Sequence, residues 1–428
     1  MAKYSDNKMI VHIQNLFPIC RSITGEGIRK TLNYFESLNP EFKRIKFKTG
    51  EKVFDWEIPQ EWNVKNAYLK HIKTGEKFAE FEENNLHLMG YSEPKNCELD
   101  FEELSSKIYT LRNKPEWIPY VTSYYKKDWG FCMKDSIKSK MKSGKYKVFI
   151  DSSFKKGNLE LSHALIEGKS KKEILFSSYV CHPSMANNEL SGPVLLNAIL
   201  DYIKTNFRKT KYSYRFIMQP ETIGSIAYLS KYHKYLCKNV ICGFNLSCVG
   251  DNRAYSLVHT PYENTLADYA LRAALKGLGN VKEYSFLSRG SDERQYCSQG
   301  IRLPVCTFSR SLFGQYPEYH SSADNLDVVN QEGLEGSLDV FKTIIEAFET
   351  SLYPKIRVKC EPQLGKRGIY PNTSFFEENK IDPFKARMNF ITYCDGEKSI
   401  FEVSDKINLD LKSTIKEAKL IKKHNLLY

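Results

Sequence analysis

Apolar residues along the chain follow two different periods. From about residue 145, short apolar runs typical of buried strands alternate with longer segments in which apolar residues recur every three to four positions. The candidate strands are 147–151, 173–180, 214–219, 240–250 and 303–308, and the candidate helices are 193–207, 224–236, 264–278 and 331–352. This alternation predicts an α/β fold in which helices flank a sheet, with functional loops where its strands end.

The first third of the chain has a different pattern. Residues 9–37 have helical periodicity that Pro18 interrupts, and a second helix is predicted over 28–38. From 45 to about 130, short alternating runs separated by prolines and glycines predict a small β-rich module. All four tryptophans lie in this module: Trp56, Trp62, Trp117 and Trp129. They indicate either a compact aromatic core or one wall of a binding cleft, and the core is the favoured interpretation.

The C-terminal segment has a third pattern. It follows a loop rich in Pro, Gly and Lys at about 354–372. Apolar periodicity then predicts helices over 385–393, 399–407 and 409–425, the last of them amphipathic and rich in lysine. A winged-helix module would fit this order.

Composition narrows the class of protein. The formal charge of +12 comes from lysines spread along all 428 residues, so it indicates a solvated surface more than a nucleic-acid site. Eleven cysteines without a CxxC pair argue against a disulfide framework and a zinc ribbon, and we interpret them as reduced thiols. Neither a membrane-spanning apolar stretch nor a signal-peptide pattern is evident. The expected location is the cytoplasm, without membrane attachment.

Four loops at predicted strand ends hold the polar side chains that could carry chemistry. The candidates are His182, Asn188 and Glu189 in the first loop, Glu221 in the second, Asp292, Glu293 and Arg294 in the third, and Tyr319 and His320 in the fourth. Each alone has an ordinary structural interpretation, such as a hydrogen-bonded histidine or a carboxylate at a helix N-terminus. The arrival of His182, Glu221 and His320 at successive strand ends of one α/β module favours a site.

The chemistry of such a set is that of a catalytic metal. Two neutral imidazoles and one or more carboxylates are the ligands of a catalytic zinc, which keeps an open position for water. Zinc lowers the pKa of that water and polarises a carbonyl, while a nearby carboxylate takes the proton. The sequence therefore predicts hydrolysis of an amide.

Eight stretches of the chain carry a resemblance to a known family. They are RSITGEGIRKTL, VFDWEIPQEWNV, NNLHLMGYS, VTSYYKKDWGFC, CHPSMANNELSGP, QPETIGSIAYLS, GSDERQYC and EYHSSADNL. They resemble the aminopeptidase-like DUF4910 family, relatives of the M28 zinc peptidases that are often named polysaccharide biosynthesis proteins. The resemblance implies a zinc-exopeptidase-like mixed sheet flanked by helices, an inserted small β-rich domain (DUF2172-like) and a C-terminal winged helix. The implied domains are 1–44 and 131–353 for the core, 45–130 for the insertion and 354–428 for the winged helix.

The resemblance also implies which residues form the site. M28 peptidases bind two zincs, and His182, Glu221 and His320 match three of their ligands. The bridging aspartate corresponds to the neutral Asn188, beside Glu189, and the general base corresponds to Pro220. A further ligand position falls on Ser247, with Asp251 the nearest acid. These losses imply one zinc per chain. Its ligands would be His182, His320 and a carboxylate from either Glu189 or Glu221.

The roles of proton transfer and substrate binding are assigned to polar residues near these metal ligands. Asp292 and Glu293 are the best substitutes for proton transfer. Arg294, Arg310 and Tyr319 are predicted to bind a substrate carboxylate or an oxyanion, because a guanidinium fork suits planar anions.

Three functions remain open. The leading hypothesis is a zinc-dependent aminopeptidase-like hydrolase of a small amide, either a peptide N-terminus or an aminoacyl or acylamino sugar intermediate of surface polysaccharide synthesis. The second is a catalytically silent binding protein on the peptidase scaffold, favoured by Pro220 and Asn188. The third, a DNA-binding regulator acting through the winged helix, is not expected because 406–428 lacks arginine. The expected partner is a small-molecule or peptide substrate, and a homo-oligomer is left open.

Overall fold

The structure is a computed structural model, which describes residues 9–370 and 382–428. The strands in these residues are β1 (Lys43–Lys48), β2 (Lys52–Val53), β3 (Trp56–Glu57), β4 (Glu61–His71), β5 (Lys77–Phe78), β6 (Lys95–Asp100), β7 (Ile108–Tyr109), β8 (Phe131–Cys132), β9 (Lys145–Lys155), β10 (Asn158–Ile166), β11 (Glu173–Tyr179), β12 (Ser213–Gln219), β13 (Val240–Leu246), β14 (Tyr255–Val258), β15 (Val281–Tyr284) and β16 (Val305–Ser309). The α-helices in them are α1 (Met9–Leu16), α2 (Glu26–Leu38), α3 (Phe101–Ser105), α4 (Asp135–Lys138), α5 (Ser191–Asn206), α6 (Ile223–Asn239), α7 (Leu266–Leu275), α8 (Glu293–Tyr296), α9 (Gln331–Ser351), α10 (Pro383–Thr392), α11 (Ile400–Lys406) and α12 (Leu411–Lys423).

An eight-stranded mixed sheet organises the core, in the order β1-β10-β12-β11-β13-β16-β14-β15. Its central strands β12, β11, β13 and β16 run parallel, whereas β10 and β14 pair with them antiparallel. Every residue of β11 and β12 is buried, as expected for strands covered by helices on both faces. The predicted fold class is confirmed, and β11, β12, β13 and β16 lie within a few residues of their predicted bounds, whereas β1, β10, β14 and β15 of the large sheet were not predicted.

Aromatic packing fixes one face of this sheet. Phe176, Phe216 and Phe244 come from three neighbouring strands, and Phe176 and Phe244 also contact Phe341 of α9. All four side chains are fully buried, and each contributes about 1.5–3 kcal/mol by leaving water. Helices α1 and α2 pack into the same core as α5 and α9. This packing holds the strands, and therefore the loops at the edge of the sheet, in fixed positions.

The parallel strands place four loops together. Because β11, β12, β13 and β16 run in the same direction, their C-terminal ends meet at one edge of the sheet. His182 follows β11 and Glu221 follows β12. A π-helical turn at Ala186–Leu190 then leads into α5.

The inserted domain has its own four-stranded antiparallel sheet, β5-β4-β9-β6. Its predicted boundaries at 45 and 130 need correction, because β1 (Lys43–Lys48) pairs in the large sheet and β9 (Lys145–Lys155) in the small one. The predicted core strand 147–151 is thus part of β9. Trp62 and Trp129 lie in the hydrophobic core, while Trp56 and Trp117 line surface cavities. Trp56 also packs against this core and Trp62 also lines a cavity, so the core interpretation holds for three of the four and the binding-cleft interpretation stays a prediction.

The C-terminal module has three helices, α10 to α12, as predicted for a winged helix. Short β-bridges join Ile356 to Leu427 and Lys355 to Asp395. Side chains of α10, α11 and α12 belong to the same hydrophobic core as α7 and α9. Among the described residues, no helix combines the length and hydrophobicity needed to cross a bilayer.

Candidate metal-binding active site

His182 is buried and held from one side. Its Nδ1 lies 2.9 Å from Glu189 Oε2 and 3.3 Å from Cys181 Sγ. Arg21 in turn lies 3.4 Å from Glu189 Oε1 and donates from Nε to the His182 carbonyl oxygen at 3.0 Å. A carboxylate bound to one ring nitrogen fixes the imidazole orientation and directs the other nitrogen outward. This arrangement leaves Nε2 of His182 available to a ligand.

The outward side of His182 faces other ligand atoms. Nε2 lies 3.8 Å from Glu221 Oε2, and the His320 ring lies 5.5 Å from the His182 ring between centroids. Within the described residues, the buried Nε2 of His320 and Oδ1 of Asn188 have no hydrogen-bond partner. Asn188 Nδ2 donates to the Tyr179 hydroxyl at 2.6 Å, which fixes its amide. Buried polar atoms are rarely left unpaired, so these atoms point to a bound group.

Burial determines the charge of these residues. It lowers the pKa of His182 to about 3, with Arg21 adding to the effect, and it lowers the pKa of His320 to about 3. Burial and then the charge of Asp292 raise the pKa of Glu221, although 22% of that side chain is exposed. Neutral imidazoles are the form that binds metals. A cation at this position would relieve the cost of a buried carboxylate.

A cation could in principle bind on either side of His182. Cys181, His182 and Glu189 offer ligand atoms that all lie within 4.8 Å of one another. This group uses Nδ1, and Arg21 places a positive charge beside Glu189. Burial also raises the pKa of the Cys181 thiol well above its ordinary value, so the sulfur keeps its proton. On the Nε2 side, Glu221 Oε2 lies 3.8 Å from His182 and the His320 ring lies 5.5 Å away between centroids, so Cys181, His182 and Glu189 are the group whose ligand atoms lie closest together among these described residues.

Glu189 was predicted as a metal ligand, and its contacts lie on the Nδ1 side of His182. Its carboxylate binds the Nδ1 side of His182 and faces Arg21, with both side chains fully buried. On that side Glu189 could bind a cation together with Cys181, or orient the ring for a ligand at Nε2, so its role as a metal ligand stays a prediction.

Asp292 supports the loop that carries Glu221. Its Oδ1 accepts hydrogen bonds from the Thr222 backbone N–H and the Ser225 hydroxyl, both at 2.8 Å, and its Oδ2 accepts one from Gln219 at 3.2 Å. Thr222 has a φ of 64°, which is uncommon for a β-branched residue. Asp292 thus holds a strained turn directly after Glu221, and burial raises its pKa.

The structure does not bring Glu293 or Arg310 into contact with the His182 cluster. The Glu293 carboxylate accepts four hydrogen bonds, from Gly290, Ser291, Asn245 and Thr307. It joins the third loop to β13 and β16, and it is fully buried. Arg310 instead donates to the carbonyl oxygens of Ala254 and Gly333 and stacks on Tyr255. Their predicted roles in proton transfer and substrate binding need this correction.

Arg294 and Tyr319 do lie beside the predicted ligands. Arg294 donates from Nη2 to the Thr222 hydroxyl at 2.9 Å, one residue after Glu221. The Tyr319 ring stacks on His320, with 3.9 Å between centroids. Ser247 is engaged by the Tyr179 hydroxyl at 2.7 Å, and Asp251 binds Asn187 and Ser311. Ser247 and Asp251 therefore support loops in this structure.

Three further residues shape the site without having been predicted. The Tyr120 ring, from the inserted domain, lies 5.0 Å from His182 and 5.1 Å from His320 between centroids. Asp324 accepts the backbone N–H groups of Asn187 and Asn188 at 2.7 and 2.9 Å, so it fixes the turn before α5. Arg21 is the third. Asp324 and Arg21 lie in the quoted stretches EYHSSADNL and RSITGEGIRKTL, whereas Tyr120 lies just before VTSYYKKDWGFC and outside the quoted stretches.

Comparisons with known proteins agree with this geometry. Residues 11–351 match the family described as a domain of unknown function, DUF4910, and residues 351–428 match a winged helix-turn-helix family. A Clostridium acetobutylicum protein, provisionally named a polysaccharide biosynthesis protein with an aminopeptidase-like domain, is 40% identical over 94% of this chain and 91% of its own length.

Solved structures of peptidases are also similar in fold to this chain. A crystal structure of a provisionally assigned peptidase from Clostridium acetobutylicum has a TM-score of 0.89 and 37% identity, covering 98% of this chain and 95% of that chain. The zinc aminopeptidase BSAP from Bacillus subtilis has the same fold, with a TM-score of 0.57 and 13% identity over 78% of this chain and 93% of that chain. The chain therefore belongs to the DUF4910 family, whose aminopeptidase-like core is joined here to a C-terminal winged helix.

Proposed function

We propose that this protein is a metal-dependent hydrolase of a small amide, with one zinc ion held by His182, Glu221 and His320. The observation that carries the proposal is a pair of imidazoles 5.5 Å apart between centroids: His182 is buried and bound through Nδ1, and the half-buried His320 has a buried Nε2 without a hydrogen-bond partner among the described residues. Asn188 offers its unpaired Oδ1 as a neutral oxygen ligand. This donor set of nitrogen and oxygen atoms suits zinc.

The side chains around the proposed zinc position have separate roles in orienting ligands, transferring a proton and binding the substrate. When bound, zinc supplies Lewis-acid polarisation of the amide carbonyl and lowers the pKa of a water molecule. Glu189 and Arg21 hold the His182 ring so that Nε2 stays outward. Asp292 holds the Glu221 loop, and we assign proton transfer to the Asp292 carboxylate. Arg294 and Tyr319 flank the pair of ligands and would bind the polar end of the substrate.

The amide has two candidate sources. The aminopeptidase-like core supports a peptide N-terminus, whereas the name of the Clostridium relative supports an acylamino or aminoacyl sugar intermediate. Both are small amides, and a single assay panel can include both. We also propose that the protein acts in the cytoplasm.

Metal content tests the site directly. We expect about one zinc per chain after purification and dialysis, measured by atomic emission, and hydrolysis of at least one amide in the panel. The double variant His182→Ala, His320→Ala should lose the zinc because both nitrogen ligands are gone. His424→Ala changes a histidine in the C-terminal module and serves as the control. Zinc retained by the double variant would contradict the site.

A catalytically silent binding protein is the second candidate. It is favoured by Pro220 at the position of the general base and by Asn188 at the position of the bridging carboxylate. In that case the zinc-loaded protein would bind an amide of the panel without hydrolysing it.

A further inference from the structure

An exposed aromatic residue at a strained backbone position marks a second feature of the molecule. Phe54 lies in the turn between β2 and β3 of the inserted domain, with 53% of its surface exposed. Its φ is 56°, in the left-handed region that glycine and asparagine favour and bulky residues rarely adopt. Exposure and strain both oppose stability, so this residue is a candidate for function.

Phe54 overhangs a cavity between the inserted domain and the core. The cavity has a volume of about 410 Å³, within the size range of small-molecule sites. Phe54 and Trp56 form one wall, and Ile226 and Leu229 from the first turns of α6 form another. The loop at 298–301 closes a third side.

The polar groups of the cavity have capacity for a ligand. The exposed carboxylate of Asp55 and the half-buried side-chain amide of Gln295 line the cavity. His233 uses Nδ1 on the Leu229 carbonyl oxygen at 3.1 Å, which leaves Nε2 available. No lysine or arginine is among the residues that line the cavity.

Two residues of the cavity lining are linked to the loop that carries Glu221. Gln295 follows Arg294, which binds Thr222, and Thr222 follows Glu221. The backbone N–H of Ile226 donates to the Thr222 carbonyl oxygen at 3.0 Å. On the other wall, the Trp56 ring meets Tyr125 edge to face at 5.3 Å. The lining residues Gln295 and Ile226 are thus connected to the Glu221 loop through Thr222.

We propose that this cavity binds the pyranose ring of a neutral or amino sugar carried by the substrate. A pyranose has an apolar C–H face that stacks on an aromatic ring, and hydroxyl groups at its edge that need donors and acceptors. Phe54 and Trp56 supply the rings, and Asp55, Gln295 and His233 supply the polar groups. This inference rests on the proposed function, because it makes the amide that of an acylamino sugar.

Other ligands fit the lining less well. An apolar peptide side chain would take Asp55, Gln295 and His233 out of water without giving them partners, which is costly. A sugar phosphate or a uronic acid would meet the negative charge of Asp55 without a cation in the lining to offset it.

Sugar binding can be measured without catalysis. The probes are glucose, glucosamine, N-acetylglucosamine and N-acetylgalactosamine, with leucinamide as the peptide-type probe, and the method is saturation-transfer NMR with titration. We expect at least one sugar to bind, and the substitution Phe54→Asn to raise its Kd at least fivefold. Asn suits a left-handed backbone, so the melting temperature should not fall. Tyr353→Asn removes an aromatic residue of similar exposure, 47%, outside the cavity and is the control.

The outcomes separate this inference from the hydrolase proposal. The titration is repeated on the variant His182→Ala, His320→Ala, where sugar binding should persist without zinc. Absence of binding by all four sugars, or a Kd unchanged by Phe54→Asn, would overturn the sugar site and leave the zinc result standing. Displacement of the sugar by leucinamide at equal concentration would also overturn it, in favour of a peptide side chain. If Phe54 has only a structural role, its replacement would lower the melting temperature and leave the Kd for the sugar unchanged.

Discussion

At the scale of single residues, the neighbours of His182 decide which of its two nitrogens binds a metal. Glu189 and Cys181 lie on the Nδ1 side, 2.9 and 3.3 Å away, and Glu221 lies on the Nε2 side. If the metal binds Nε2, Glu189 orients the ring from behind and Cys181 is only a neighbour. If it binds Nδ1, both would be direct ligands. The two arrangements make opposite predictions for Cys181.

Substitution of these two residues should separate the arrangements. We expect Glu189→Gln to weaken zinc binding by about 10- to 100-fold, the usual cost of losing a partner that orients a ligand. Cys181→Ala should leave zinc affinity within about twofold, because the thiol is protonated and off the metal side. Competition with a chromogenic chelator measures both. Loss of affinity in Cys181→Ala equal to that in Glu189→Gln would place the metal at Nδ1.

The Glu189 variant also needs a stability measurement. Arg21 and Glu189 are fully buried, and breaking a buried pair by removing one charge is strongly destabilising, by about 3–5 kcal/mol. Arg21 keeps its bonds to the carbonyl oxygens of His182 and Leu16, which limits the loss. Glu189→Asp retains the charge and is the matched control for metal affinity and melting temperature.

At the scale of elements, one segment of the inserted domain closes over both imidazoles. Tyr120 donates its backbone N–H to the His320 carbonyl oxygen at 3.0 Å, and Ser322 donates to the Ile118 carbonyl oxygen at 2.8 Å. These bonds involve the backbone and do not depend on the Tyr120 side chain. The ring itself contacts His182 and His320, and its hydroxyl lies 2.7 Å from that of Tyr124. We interpret Tyr120 as a positioning residue that fixes the distance between the two histidines.

Replacement of Tyr120 tests this role. Tyr120→Ala removes the ring while the backbone bonds remain, so the imidazoles lose their spacer and zinc affinity should fall by about tenfold or more. Tyr120→Phe keeps the ring, loses only the bond to Tyr124, and should bind zinc like the wild type. Chelator competition measures affinity, and circular dichroism checks that the fold is intact. Equal affinity for both variants would remove Tyr120 from the site.

These elements also show how far the sequence could predict the molecule. The central strands were found because β11 and β12 are buried on both faces and contain continuous apolar runs. The strands β1 and β10 at one edge of the large sheet were missed, and β9 was assigned to the wrong sheet, because alternation does not specify which sheet a strand joins. His182, Glu221 and His320 were identified because each follows a predicted strand or lies in a recognisable stretch.

The contacts of residues that reach the site across the fold could not be predicted in that way, even though Arg21 begins the recognisable stretch RSITGEGIRKTL. Arg21 contacts His182 from 161 positions away, and Tyr120 comes from another domain. Glu293 and Arg310 were assigned roles because they are charged and lie near predicted loops, but their hydrogen bonds are made within the scaffold. The residue type indicates the chemistry of Glu293 and Arg310, but only the structure shows which groups their side chains contact.

At the scale of the whole molecule, the winged helix is packed as part of the core. Phe348 of α9 meets Phe401 of α11 at 5.2 Å between ring centroids. On α12, Lys419 pairs with Glu346, and Lys422 donates to the Thr350 carbonyl oxygen at 3.0 Å. Arg387 of α10 pairs with Glu417 of α12 at 2.8 Å. Much of the charge that could face a nucleic acid is therefore engaged within the protein.

This packing predicts weak DNA binding without sequence selectivity. The exposed lysines left on α12, namely Lys412, Lys416 and Lys423, can contact phosphates but do not supply the bidentate base contacts that arginine makes. In fluorescence anisotropy, binding to random duplexes should decrease steeply between 50 and 200 mM salt, and Lys412→Glu with Lys416→Glu should abolish it. Zinc content and amide hydrolysis should be unchanged in that variant, since both residues are far from the site in the chain and on the surface. Selection from a random duplex pool provides the decisive comparison, because a sequence bound 100-fold more tightly than the pool would require α12 to read bases. That result would mean the module leaves its position on α9, and it would favour the regulator over the hydrolase.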